Sequence, residues 1–209
     1  MKIYPFIEGL TEFKAPKECS DECQKLNASI DRRYNIDNVG NITIEKEVFE
    51  KEDHIFNMEN GKLIGTNEGE WGGYLMFKNN KIEYIIINDN ICGIINYKND
   101  LYVLTGLAHL GGNDGNIVKI KNTSNKWIIE NVMNLGSCPR IFSIFEDLIY
   151  IITDDGVIIF DGIKTNKILS DQFWQGLYPK TMFINNEIIA IGLRGCIVSI
   201  LARFDQQFL

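Results

Sequence analysis

Four segments of this chain carry one pattern, and their spacing limits the fold more than any other feature. Residues 60–66, 99–105, 147–153 and 186–192 each run from a polar turn through an apolar stretch. Their last residues, Thr66, Thr105, Thr153 and Gly192, stand 39, 48 and 39 positions apart. Each segment follows an apolar run, and each precedes a Gly-containing turn and another apolar run, at 73–77, 115–118, 156–160 and 195–198. The runs are short, β-rich and separated by Gly, Asn and Asp, as in Tyr84-Ile85-Ile86-Ile87 and Ile149-Tyr150-Ile151-Ile152. A unit of about 40 residues with four strands is the mark of a propeller blade. A single sheet of this kind cannot bury both faces alone, whereas blades stacked around an axis can.

The expected fold is therefore an all-β, small β-propeller in a single domain, residues 1–209. Blades fall at 53–88, 90–134, 138–170 and 178–201, so that repeats occupy 53–201. The last blade lacks a fourth strand. Residues 42–48, Ile-Thr-Ile-Glu-Lys-Glu-Val, alternate apolar and polar with Lys46 as a flaw, and this N-terminal strand is expected to close the ring. Four blades fit best; five fit if residues 1–50 build a degenerate one. A β-sandwich with coincidental spacing is the alternative. Ahead of the strand, Cys19, Cys23, Leu26 and Ile30 form one apolar stripe, which predicts an N-terminal helix over 16–30 with Pro16 in its first turn.

Composition narrows the function. With 21 basic and 28 acidic residues the net charge is −7 and the pI about 4.9, so no basic face for nucleic acid is expected. The acidic excess concentrates in residues 1–60, at −5, against −2 for the rest. No run of about 18 apolar residues suggests a membrane span, and the start lacks the basic-then-apolar order of a secretory leader, so the expected location is cytoplasmic. Five cysteines without paired CxxC spacing argue against a structural zinc site. Cys92 and Cys196 read as small buried apolar residues. Cys19 and Cys23, four apart, would share a helix face and could form a redox pair or half a metal site.

The runs Gly69-Glu70-Trp71-Gly72-Gly73, Thr105-Gly106-Leu107-Ala108-His109-Leu110-Gly111 and Gly176-Leu177-Tyr178-Pro179 resemble a group of uncharacterised bacterial propeller-like proteins. The resemblance covers roughly residues 60–200. It implies the fold and carries over no catalytic residue.

In such a fold the connections after each second and fourth strand emerge on one face. Here that face collects the longest loops, two of the three tryptophans and one of the two histidines. Long loops on a rigid scaffold are where binding usually lives. The candidate binding face is Glu68, Glu70, Trp71, His109, Asp114, Trp174, Tyr178 and Arg194. Glu68, Glu70, His109 and Asp114 could hold a divalent metal through oxygen and imidazole ligands; a solvated acidic rim is the plainer reading. Trp71 suits a stacking or interface anchor, or a wedge between blades. Arg194 suits a carboxylate or phosphate, or an acidic neighbour. The turn Asp154-Asp155-Gly156 is explained by turn chemistry alone.

No GxSxG, HExxH or GxxxxGK[ST] motif is present. No cofactor is called for. The expectation is a non-enzymatic, protein-binding propeller, in one version an immunity or inhibitor protein whose acidic surface meets a basic toxin domain. The alternative is an enzyme or a small-ligand or metal-binding propeller with its site at the mouth of the central channel.

Overall fold

The structure is a computed structural model that describes residues 16–17, 19–29, 32–36, 42–46, 53–123, 126–170, 174, 176–186 and 188–201. One short helix, α1 (Asp21–Asn27), precedes a hairpin of β1 (Arg32–Ile36) and β2 (Ile42–Lys46). Four antiparallel sheets then follow in strict chain order. Sheet A holds β3 (His54–Met58), β4 (Gly61–Gly65), β5 (Leu75–Lys78) and β6 (Glu83–Ile87). Sheet B holds β7 (Ile91–Tyr97), β8 (Asp100–His109), β9 (Gly112–Thr123) and β10 (Lys126–Asn134). Sheet C holds β11 (Pro139–Phe145), β12 (Leu148–Thr153), β13 (Gly156–Phe160) and β14 (Thr165–Ser170). Sheet D holds β15 (Thr181–Ile184), β16 (Ile188–Gly192) and β17 (Ile197–Leu201). Among the described residues no helix is long and apolar enough to cross a membrane.

The continuous apolar runs are explained by where alternate side chains go. Successive residues of a strand face opposite sides. Ile149 and Ile151 of β12 enter the core between sheets B and C, while Tyr150 and Ile152 enter the core between C and D. In β13, Ile158 and Phe160 divide from Val157 and Ile159 in the same way. Val103 of β8 turns to a third core, shared with Leu63, Leu75 and Phe77 of sheet A. Each seam between neighbouring sheets thus has its own apolar cluster. At the B–C seam the backbones approach so closely that a Cβ on Gly93 would stand 2.6 Å from the Phe142 ring.

The first strands of successive units lie side by side in the order β3, β7, β11, β15 and then β1. The second strand of a unit also borders the first strand of the next, as β4 borders β7, β8 borders β11 and β16 borders β1. The N-terminal hairpin therefore continues the series that the four sheets begin.

Two sequence expectations are corrected. The helix is seven residues long, because Ser20 caps it by accepting the Cys23 amide at 3.2 Å. Cys19 lies outside it with φ 61°, so Cys19 and Cys23 do not share a helix face, and Ile30 lies outside the described residues. The strand expected over 42–48 pairs with β1 and not with β17, which among the described residues has β16 as its one hydrogen-bonded neighbour. Val48 lies outside the described residues. Residues 32–36 form the strand that the sequence reading passed over.

Ile151 is fully buried between two sheets. Ile151→Ala is expected to cost about 2–5 kcal/mol in urea unfolding, against less than about 0.5 for Ile163→Ala on an exposed turn. His54 opens β3, and burial pushes its imidazole below its usual 6.5, against a raising effect of Asp53. The unfolded chain therefore takes up a proton near pH 6.5 while the folded chain resists it. Stability is lost as pH falls through 6.5 towards the depressed folded value. Between pH 7.5 and 5.5 the wild-type unfolding midpoint should fall further than that of His54→Gln; equal falls would remove His54 from the account.

Candidate functional site

The loop between β4 and β5 is held by buried polar groups rather than by packing. Thr66 exchanges hydrogen bonds with Tyr74: its amide donates to the Tyr74 carbonyl at 2.9 Å, and its Oγ1 accepts the Tyr74 amide at 3.1 Å. Buried Asn90, from the next unit, accepts the Glu68 amide at 3.0 Å and donates to the Gly69 carbonyl at 2.7 Å. The loop turns through Gly69 at φ 62° and Gly72 at φ 88°, a region that side chains disfavour. Between them a one-turn 3₁₀ helix, Gly69–Trp71, lifts Trp71 into solvent, 83% exposed. Trp71 is not a wedge between sheets.

Sheet B meets this loop with a projecting ribbon. The long loop expected over 106–114 is instead an extension of β8 and β9, paired down to His109 and Gly112. Leu110 and Gly111 form the two-residue turn, with φ 48° and 85°. Two positive φ values define a turn that favours Asn-Gly, and Leu is an unfavourable choice for its first position. Leu110 is 93% exposed there. His109 Nε2 and Glu70 Oε2 stand 2.9 Å apart, so a side-chain contact ties the ribbon to the Trp71 loop.

A second cluster lies where the first strands of sheets B and C begin. Both strands carry a register shift at the same place, between Ile91 and Gly93 and between Pro139 and Ile141. The extra residues are Cys92 and Arg140. A bulge of this kind re-aims a side chain out of the ladder. Arg140 makes a bidentate pair with Asp154, Nε to Oδ1 and Nη2 to Oδ2, both at 2.6 Å. Burial opposes the Arg140 charge, but the Asp154 hydrogen bonds more than reverse it and hold the guanidinium protonated. Burial would raise the Asp155 carboxyl, yet hydrogen bonds from Lys167, Ser137 and Thr153 carry it below its usual range. The Tyr178 ring is in cation–π range of two guanidinium groups, 4.3 Å from Arg194 and 5.5 Å from Arg140. Arg194 in turn donates to Asn27 Oδ1 at 2.8 Å, at the end of α1.

The expected site residues thus divide. Glu70, Trp71 and His109 come together; Glu68 is exposed beside them. Asp114 caps its own ribbon by accepting the Leu107 amide at 3.1 Å. Among the described residues no group of three His, Cys, Asp or Glu could hold a metal ion, Glu68, Glu70, His109 and Asp114 included. Tyr178 and Arg194 belong to the second cluster. Trp174 belongs to neither, being fully buried in the C–D core with its indole N–H donating to the Thr153 carbonyl at 2.8 Å. The sequence reading missed Cys92, Cys138, Arg140 and Asp154. Aligning the entries to successive first strands would have set Cys92 over Arg140.

No family model matches the chain, and no curated protein matches it. Among solved structures, the crystal structure of the computationally designed Ika8 protein is similar, at 9% identity and a TM-score of 0.48. The match covers 81% of this chain and 55% of the designed one, so the chain spans about half of that protein's length. What fold and site define is an all-β protein of four repeated antiparallel sheets with one short N-terminal helix.

Asp154 is 3% exposed. Asp154→Ala would leave the Arg140 charge without its partner and is expected to cost about 3 kcal/mol by chemical denaturation. The double variant Arg140→Met/Asp154→Leu should recover most of that loss. A single-variant cost under about 1 kcal/mol would show that water reaches Arg140 freely.

Proposed function

We propose that this chain is a ring of five units, the N-terminal hairpin being a reduced fifth blade, and that it binds another protein through the Trp71–Leu110 face. Three observations support the ring. The first strands neighbour one another through to β1. Three seams hold apolar clusters. The remaining face of sheet A offers Ile55 and Ile85, 57% and 51% exposed, for a further layer to cover. Five blades are preferred here to the expected four because residues 32–46 supply a paired hairpin rather than one strand for sheet D.

The binding reading rests on one observation. Trp71 and Leu110, flanking the Glu70–His109 pair, are among the most exposed large apolar residues described, and both stand on fastened turns. Folding alone gives no reason for a tryptophan on a pinned loop or a leucine where Asn is preferred. Rigid aromatic anchors ringed by polar groups are the usual energetic centres of protein interfaces. The net charge of −7, with Glu68 and Glu70 beside Trp71, suits a basic partner such as a toxin domain, in a cytoplasmic inhibitor role. The rival reading, a small-ligand or catalytic site, drew on Glu68, Glu70, His109, Asp114 and Arg194 converging, and these side chains divide between separate clusters.

The test is affinity capture from the native host's extract with wild type and with Trp71→Ala/Leu110→Ser in parallel. The reading expects a basic protein retained by the wild type, released with rising salt, and lost from the variant at unchanged unfolding midpoint. Equal recovery by both chains, or none by either, would overturn it.

A further inference from the structure

Cys92 and Cys138 are 46 residues apart and lie at the beginnings of neighbouring strands, β7 and β11, on opposite sides of the B–C seam. Both are free and both are buried. Both belong to the one apolar cluster that fills this seam, where each thiol bears on the other. Around them stand three polar groups: Asn67 Nδ2 donates to Cys92 Sγ at 3.5 Å, the Cys92 thiol donates to the Gly106 carbonyl at 3.6 Å, and the Cys138 thiol donates to the Pro139 carbonyl at 3.7 Å. The Arg140 guanidinium lies near both sulfurs. Two neighbouring thiols beside a fixed cation can exchange into a disulfide once an oxidant reaches the seam, which an isolated buried thiol cannot.

We propose that Cys92 and Cys138 form a peroxide-oxidisable dithiol, which closes to a disulfide joining sheets B and C at the loop face.

The chemistry assigns the two sulfurs different parts. The interaction with Cys92 lowers the Cys138 thiol below its ordinary range, burial opposes this, and the Arg140 charge assists it. The same contact raises Cys92, with burial adding to the effect. Cys138 is therefore the nucleophile and Cys92 the resolving thiol. The Cys138 thiolate attacks hydrogen peroxide, an S–O bond forms, and the O–O bond breaks. The departing hydroxide takes the proton lost by Cys138 and leaves as water. Cys92 then attacks the sulfenic sulfur; the S–S bond forms, the S–O bond breaks, and the hydroxide leaves with the Cys92 proton as a second water. Each sulfur gives up one electron, and peroxide accepts both. The cross-link would tie the seam beside the Arg140–Asp154 pair.

The test uses the full wild-type chain, treated with excess hydrogen peroxide and then mapped by mass spectrometry. Expected is one peptide pair joining Cys92 to Cys138, a loss of two hydrogens, and reversal by dithiothreitol. The unfolding midpoint should rise by about 5–10 °C on oxidation, as a loop of this length predicts. Cys19→Ser/Cys23→Ser should behave as wild type, and Arg140→Gln should slow the reaction several-fold. A bridge between Cys19 and Cys23 alone, overoxidation of Cys138 without bridging, or thiols that remain fully alkylatable after peroxide would overturn the assignment. Because the decisive mapping is done on wild type, it does not depend on any variant folding.

Discussion

Alternate residues of one strand must find two different apolar partners, and the rest of the molecule follows from that. In β12 and β13 every residue of the central run is buried, and odd and even positions serve opposite seams. Such a strand is satisfied only if its sheet is covered on both faces. Four copies of the same sheet, each covering the next, satisfy the demand for sheets B and C and leave it open at the ends of the series. The hairpin β1–β2 sits at one of those ends, against sheet D. The partly exposed Ile55 and Ile85 mark the other. A register slip of one residue would send Tyr150 and Ile152 to the seam built for Ile149 and Ile151, so the packing also fixes the register.

Packing of this kind fixes the middle of each strand and leaves its ends to hydrogen bonding. Buried Thr66, Thr105 and Thr153 occupy the same place in three sheets, just before the chain leaves the core. Thr66 and Thr153 use that place to hold the following turn, Thr66 through Tyr74 and Thr153 through Asp155. Asn90 fastens the first loop from the neighbouring sheet, and Asn113 accepts the Cys138 amide across the next seam. The loop face is therefore rigid for a physical reason: each turn is bonded to the unit beside it. That rigidity makes the exposure of Trp71 and Leu110 informative, because a floppy tip carries exposed side chains at no structural cost and a pinned one does not.

The sheets were legible because their boundaries are written twice, once in the apolar runs and again in the Gly, Asn and Asp between them. Sheets expected at 53–88, 90–134 and 138–170 are found between His54 and Ile87, Ile91 and Asn134, and Pro139 and Ser170. The N-terminal part was less legible. Arg32-Arg33-Tyr34-Asn35-Ile36 has too few apolar residues to declare a strand, and its partner β2 was consequently assigned to sheet D. The helix was overextended because an apolar stripe does not say where capping begins, and Ser20 does. Of the site, the nearness of Glu70 to His109 was legible. The metal cluster was not formed, because Asp114 is used two strand positions inside the ribbon turn. Trp174 was misread since a loop residue in sequence can be a core residue in space.

The second cluster was harder to read for a different reason. Cys92, Cys138, Arg140 and Asp154 are joined by no spacing rule, and each has an ordinary local explanation. Their meeting depends on two bulges at equivalent places in adjacent sheets, which turn Cys92 and Arg140 out of the ladder. Repetition alone would have put the same residue type at both bulges, and a repeated scaffold needs no charged group in that position. The chain instead carries a thiol in one and a guanidinium in the other, with Asp154 buried to match the guanidinium. A buried ion pair is seldom the cheapest filling for a seam, since apolar residues of similar volume do as well or better. Its presence beside two neighbouring buried thiols is what separates this corner from scaffold.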